Sequence, residues 1–183
     1  MPLPNIISRV FELAAQDGER DESKFYGLYN VLLTYLFSFE EEYIVVPQYK
    51  RPTQLTSVDF TTIFLVRYKH HPVFFVEVKS SGSLHHISSR READLQMRER
   101  FERLFEDVEI ETLYGVSTMG TKICIYQLDR ASRRLDLDAI EGDARFVTDT
   151  APAHRWNVDI MTPEGEEKLQ EVVRDIKAMS GGL

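Results

Sequence analysis

The run FFVEVKSSG, Phe74 to Gly82, sets a carboxylate, Glu77, and an ammonium, Lys79, inside one of the most apolar stretches of the chain. Burial of either group is expensive unless a partner compensates it, so such a pair serves a structural contact or chemistry. Residues two apart in a strand share a face, so Glu77 and Lys79 project together with Phe75 while Phe74, Val76 and Val78 fill the other face. Asp59 stands at the start of the preceding strand-like segment, with seventeen residues between it and Glu77. If the two segments form a hairpin, Asp59, Glu77 and Lys79 approach one another at one end of a sheet. Two carboxylates there suit a hard divalent cation, Mg²⁺ or Mn²⁺, with the backbone carbonyl of Val78 as a further oxygen ligand. Lys79 would orient the attacking water or help to deprotonate it, and the metal would lower that water's pKa. Together these groups are machinery for hydrolysing a phosphodiester. The plainer alternatives are an exposed ion pair for Glu77 and Lys79 and a turn carboxylate for Asp59.

The elements that must position these groups follow from periodicity. Residues 5–15 place Ile6, Ile7, Val10, Phe11 and Ala14 at helical spacing. A second helix is expected from Asp21, a good N-cap, to about Phe39, with Phe25, Tyr29, Leu32 and Leu36 in its apolar stripe and Glu22 at its head. Strand signals cover residues 43–50, 57–68 and 72–80, each rich in β-branched and aromatic side chains. Pro47 assigns the first to an edge or a bulge. Residues 69–71 read as the turn of a hairpin. A tight turn at His70-His71 would set Asp59 opposite Gly82, five positions from Glu77 and too far to share a metal at about 3.3 Å per residue. An irregularity in the hairpin, or a turn nearer Tyr68, is therefore expected.

Ser89 and Glu92 read as a capping box opening a helix to about Asp107, and Arg90, Arg91, Arg98, Arg100 and Arg103 within it alternate with acids as on a solvated face. Residues 112–118 and 121–129 are two more strands turning at Met119-Gly120, and residues 130–143 are looped. Short strands are expected at 145–150 and 154–161. Thr162 and Pro163 open a last helix, and residues 180–183 read as a frayed tail. The order predicts a mixed α/β domain, a central mixed β-sheet flanked by helices.

Asp59, followed after seventeen residues by Glu77-Val78-Lys79, in this order of elements, resembles the PD-(D/E)xK nuclease superfamily of restriction-endonuclease-like folds. The resemblance runs from the helix at Asp21 through the strand ending near Ser117 and implies an αβββαβ core. It implies that Asp59 and Glu77 bind metal and that Lys79 is catalytic. Many members carry a supporting glutamate on the first core helix, which Glu22 matches. Some carry a glutamine on the helix after the lysine strand, a place that Gln96 could occupy. The chain departs from the pattern where Val58 replaces the proline before the first acid.

With 183 residues the chain is read as one domain, its core at about 21–128 and a C-terminal extension at about 129–179. A net charge of −8 speaks against coating nucleic acid through bulk electrostatics. A single cysteine, Cys124, excludes an internal disulfide, and its alternation with Ile123 and Ile125 suits a core thiol. With no membrane-length apolar run and no secretory pattern at the start, an intracellular protein is expected, cytoplasmic or nuclear. The expected activity is metal-dependent hydrolysis of nucleic acid, DNA ahead of RNA, with a homodimer as one way to cut both strands. The alternative is a catalytically inactive module of the same fold that binds nucleic acid or protein.

Overall fold

The structure, a computed structural model, describes residues 3–17, 21–50, 61–143 and 145–183. Its framework is set by three strands in a meander. β1 (Tyr43–Lys50) pairs antiparallel with β2 (Thr61–Tyr68), and β2 with β3 (His71–Lys79). The next strand, β4 (Thr112–Met119), runs parallel to β3, a pairing that needs a crossover, and helix α3 (Ile87–Leu104) supplies it. β5 (Lys122–Asp129) returns antiparallel, and two short strands, β6 (Arg134–Leu135) and β7 (Val158–Asp159), pair with it. Among the described residues this makes a seven-stranded mixed sheet, with β1 at one edge, where Pro47 was expected to place it.

Helix α2 (Ser23–Leu36) precedes β1, so the element order from α2 to β4 is αβββαβ. Phe74 meets Phe37, just past the end of α2, with ring centroids 5.5 Å apart. Its neighbour Tyr114 on β4 donates to Asp175 on helix α4 (Pro163–Ser180). Phe75, on the opposite face of β3, meets Phe101 of α3 edge-on at 4.8 Å. The sheet is therefore sandwiched, α2 and α4 on one side and α3 on the other. Helix α1 (Asn5–Asp17) lies outside α2, joined to it through the T-shaped Phe11–Tyr29 pair at 5.2 Å. α4 starts as expected, with Thr162 Oγ1 accepting from the Gly165 amide and Pro163 in the first turn.

Several local expectations are corrected. α3 begins at Ile87 behind His86, and no Ser89–Glu92 capping box forms. α2 stops at Leu36, because the chain turns through a 3₁₀ segment at Phe39–Glu41, where Ser38 caps Glu40. Residues 145–150 form no strand among those described, and within 154–161 only Val158 and Asp159 pair. The closing residues are held rather than frayed: Ser180 is fully buried, the Leu183 amide donates to the Ser180 carbonyl, and Lys69 Nζ reaches the Leu183 carbonyl at 2.8 Å.

The larger correction concerns the arginines of α3. Arg90 and Arg98 are not a solvated face. Arg90, 5% exposed, donates to the carbonyls of Ala151 and Leu84 and pairs with Asp149. Asp94, also buried, takes Arg98 Nε at 2.8 Å, Arg155 Nη1 at 3.0 Å and the Tyr126 hydroxyl at 3.0 Å. The same guanidinium groups donate onward to the Leu137 and Asp138 carbonyls. Leu137, Asp138, Asp149, Ala151 and Arg155 are thus strapped to one another and to α3 through charges, and α3 to β5 through Tyr126. Removing one member of a buried, hydrogen-bonded charge network leaves the others uncompensated, which typically costs about 3–5 kcal/mol. Asp94→Ala should lower stability by about 3 kcal/mol or more in urea denaturation, whereas Glu99→Ala, on the exposed side of the same helix, should change it by less than about 0.5 kcal/mol.

Candidate active site at the end of β3

β3 is an interior strand with β2 on one side and β4 on the other, and its residues from Pro72 to Val78 are all buried. Glu77 is 1% exposed. The Lys79 ammonium lies 3.8 Å from Glu77 Oε1, its side chain 11% exposed. The two project on the α3 face together with Phe75, as strand alternation requires. An exposed ion pair on a half-solvated strand is thereby excluded. The pair occupies the last rungs of β3, where Glu77 is registered with Ile63 of β2 and with Ser117 of β4. Ser117, fully buried, accepts a hydrogen bond from Trp156 Nε1 at 3.3 Å, which closes the site on the β4 side.

The hairpin is irregular, but not in the way expected: the ladder changes by a single residue, and Ile63, four positions after Asp59, is registered with Glu77. The tight turn lies at Lys69-His70, with Lys69 in the left-handed region at φ 53°, and pairs Tyr68 with His71. A register shift between Val66 and Arg67 then changes the ladder, so that Val66 faces Phe74 and Thr62 faces Val78. Thr62–Val78 is the last described rung between β2 and β3, so the Val78 backbone, the expected carbonyl ligand, sits where that ladder ends. Asp59, the expected first acid, lies outside the described residues, two positions before β2 begins.

Gln96 sits on α3, the helix that covers this face. Its Nε2 donates to Glu92 Oε1 at 2.9 Å, while its Oε1 is buried and meets no hydrogen-bond partner among the described residues. Glu22 is placed differently. It precedes α2, on the other side of the sheet, and accepts from the Tyr26 hydroxyl at 2.6 Å. The first turns of α2 nevertheless reach the same end of the sheet. Tyr29 donates to the Gly120 carbonyl at 2.7 Å, and the Gly120 amide donates to the Lys79 carbonyl at 3.0 Å. Gly120 has φ 67° and lies tight against Ser81, where a Cβ would come within 2.8 Å of the Ser81 Cβ. Glycine is needed there for both reasons. His85 and His86 are exposed, in and after the 3₁₀ turn Ser81–His85 that links β3 to α3.

Arg100 is the residue that sequence reasoning missed. Burial pulls its guanidinium below the ordinary arginine value, and the charge of Glu77 pulls it back up. The available signal was spacing: Arg100 follows Gln96 by one helical turn and adjoins Phe101 of the core stripe. The thiol of Cys124 is buried and pushed up to about 12 by desolvation, which keeps it protonated near neutral pH.

The donors that the described residues place here, a carboxylate and a backbone carbonyl, are hard oxygens and fit Mg²⁺ or Mn²⁺. No group of three or more His, Cys, Asp and Glu side chains positioned for a metal occurs among the described residues. No helix among them is long and apolar enough to cross a membrane. No protein family, curated protein or solved structure matches the chain.

A carboxylate this deeply buried depends on the cations around it. Lys79→Met should destabilise the protein by about 1–3 kcal/mol. Glu77→Gln/Lys79→Met should cost less than the two single changes added together, with a coupling of about 1 kcal/mol or more in a double-mutant cycle by urea denaturation. Strict additivity, within about 0.5 kcal/mol, would show that the 3.8 Å approach carries no interaction.

Proposed function

We propose that this protein is a metal-dependent nuclease that hydrolyses phosphodiester bonds of DNA. The observation that carries the proposal is the buried Glu77–Lys79 pair on the last rungs of an interior strand, within an αβββαβ order of elements. That order, with β3 and β4 parallel and α3 crossing between them, is the arrangement that the resemblance to the PD-(D/E)xK superfamily implies. Glu77, the Val78 carbonyl and Asp59 would hold a Mg²⁺ or Mn²⁺ ion. The bound ion supplies Lewis-acid charge toward the phosphate and lowers the pKa of a coordinated water.

The chain's own groups supply the positioning. Glu77 and Lys79 project side by side, and at 3.8 Å one water can bridge carboxylate and ammonium. Held there, the water would form the new bond to phosphorus as the bond to the leaving sugar oxygen breaks, its proton passing to solvent, while Lys79 offsets negative charge that builds on the phosphate oxygens. Phe75 and Ser117 beside the pair are buried, and their low-dielectric surroundings strengthen these electrostatic contacts.

A second reading, a non-catalytic module of the same fold, draws support from the charge balance. Lys79 and Arg100 compensate Glu77 in the absence of metal, and the chain is acidic, at −8. Isothermal calorimetry separates the two. The nuclease requires Mn²⁺ and Mg²⁺ binding that disappears in Asp59→Ala and in Glu77→Ala, with both variants folded by circular dichroism. It also requires Mn²⁺-dependent cleavage of DNA whose rate falls on the order of 10²-fold or more in Lys79→Met. Wild-type protein that binds neither ion and leaves DNA intact would establish the module instead.

A further inference from the structure

α3 is fixed tightly over the face of β3 that carries the site. The Phe101 ring meets Phe75 at 4.8 Å, and both rings close on Gly115 of β4. A Cβ at Gly115 would lie 2.6 Å from Phe75 Cζ and 2.8 Å from Phe101 Cζ, so α3 cannot be lifted or rotated without disturbing the core. Its two flanks then have defined directions. Asp94 and Arg98 form the flank toward β5, where Asp94 holds the Tyr126 hydroxyl and Arg155. β3 lies on the other side of β4 from β5. The opposite flank, with Gln96 and Arg100 one turn apart, is therefore turned toward β3 and its two charged side chains.

Arg100 accordingly lies within the field of Glu77 and is half withdrawn from water. With Asp59 as the second carboxylate of the proposed site, Lys79 and Arg100 balance its two acids, and a bound divalent ion makes it cationic. A site so charged takes an anion. An arginine there adds what Lys79 lacks: a planar fork that takes two oxygens of one phosphate. Gln96 supports the placement, since its buried Oε1 faces the same flank with no partner among the described residues and its amide is tethered to Glu92.

We propose that Arg100 is the phosphate-binding residue of this site, its guanidinium taking the non-bridging oxygens of the DNA phosphate beside Glu77 and Lys79. The assignment rests on the nuclease reading. Arg100 lies within the field of Glu77 in the free protein and takes the phosphate when DNA occupies the site, beside the Glu77 carboxylate and the metal.

The test is the salt dependence of DNA binding by the full chain. Fluorescence anisotropy of a fluorescein-labelled DNA duplex with single-stranded ends is measured in Ca²⁺, across a series of salt concentrations. Each phosphate contact contributes about 0.9 to the slope of log affinity against log salt. Arg100→Gln should weaken binding about tenfold or more and lower that slope by about one, while Arg100→Lys should keep the slope and weaken binding less. A residue that merely balances Glu77 would alter stability and leave the slope unchanged. A folded Arg100→Gln with wild-type slope and affinity overturns the assignment. If Arg100→Gln does not fold, the lysine variant decides, because wild-type affinity in Arg100→Lys would show that the guanidinium fork is not used. Wild-type protein that binds Mn²⁺ through Glu77 but no DNA refutes the phosphate role and leaves the metal site standing. Loss of Mn²⁺ binding refutes the nuclease reading itself.

Discussion

A carboxylate on an interior strand of a sheet is the constraint from which the rest of the architecture follows. Glu77 has β2 on one side, β4 on the other and α3 above it, so bulk water cannot solvate it. Its charge must be met by protein groups. Lys79 approaches it to 3.8 Å from two residues along the same strand, and Arg100 on the helix above lies within its field. Neither cation could do so unless β3 stayed extended to its last residue and α3 kept its height over the sheet. The fold supplies both conditions. Pairing on both sides keeps β3 straight, and the Phe75–Phe101–Gly115 contact sets the height of α3.

The parallel pairing of β3 and β4 is the second requirement. It forces the chain to leave the sheet after Lys79, cross through α3 and re-enter at Thr112, which places the end of β3 and the start of the crossover helix at one end of the sheet. The same end collects the β4–β5 turn, where Gly120 bonds to both Lys79 and Tyr29. α2 and the end of β3 are thereby tied to a common point. The C-terminal residues lock the arrangement: the network around Asp94 straps Leu137, Asp138 and Arg155 to α3, and Trp156 closes on Ser117 next to Glu77.

Much of this was legible in the sequence, and the reasons differ by element. β1 and β5 follow their β-branched and aromatic runs, and α4 follows its Thr162-Pro163 start. Strand alternation placed Glu77 and Lys79 on one face with Phe75, whereas bringing Asp59 beside Glu77 asked for a shift of several residues and the ladder shows one of a single residue at Val66–Arg67. Burial of the pair was not legible, because it depends on β4 and α3, which come from distant sequence. The arginines of α3 misled for a related reason. Alternating charges look the same on a solvated helix and on one whose partners, Asp149 and Arg155, arrive some sixty residues later. Residues 145–150 have strand-like composition but form no strand, and Asp149 among them is held instead by Arg90 of α3. Glu22, read at the head of an inward stripe, stands just before α2 and accepts from the Tyr26 hydroxyl.

The proposed chemistry asks little more of the fold than this one charged end: oxygen ligands from Glu77 and the Val78 carbonyl, completed by Asp59, a water beside Lys79, and a guanidinium for the phosphate. The central claim is that Glu77 is compensated by cations in the free protein and becomes a metal ligand. A crystal grown with Mn²⁺ and measured at a wavelength where manganese scatters anomalously tests it directly. The account predicts an anomalous peak about 2.1 Å from a Glu77 carboxylate oxygen, within coordination distance of the Val78 carbonyl and of Asp59. Manganese bound only at exposed surface carboxylates, with Glu77 still paired to Lys79, would contradict it.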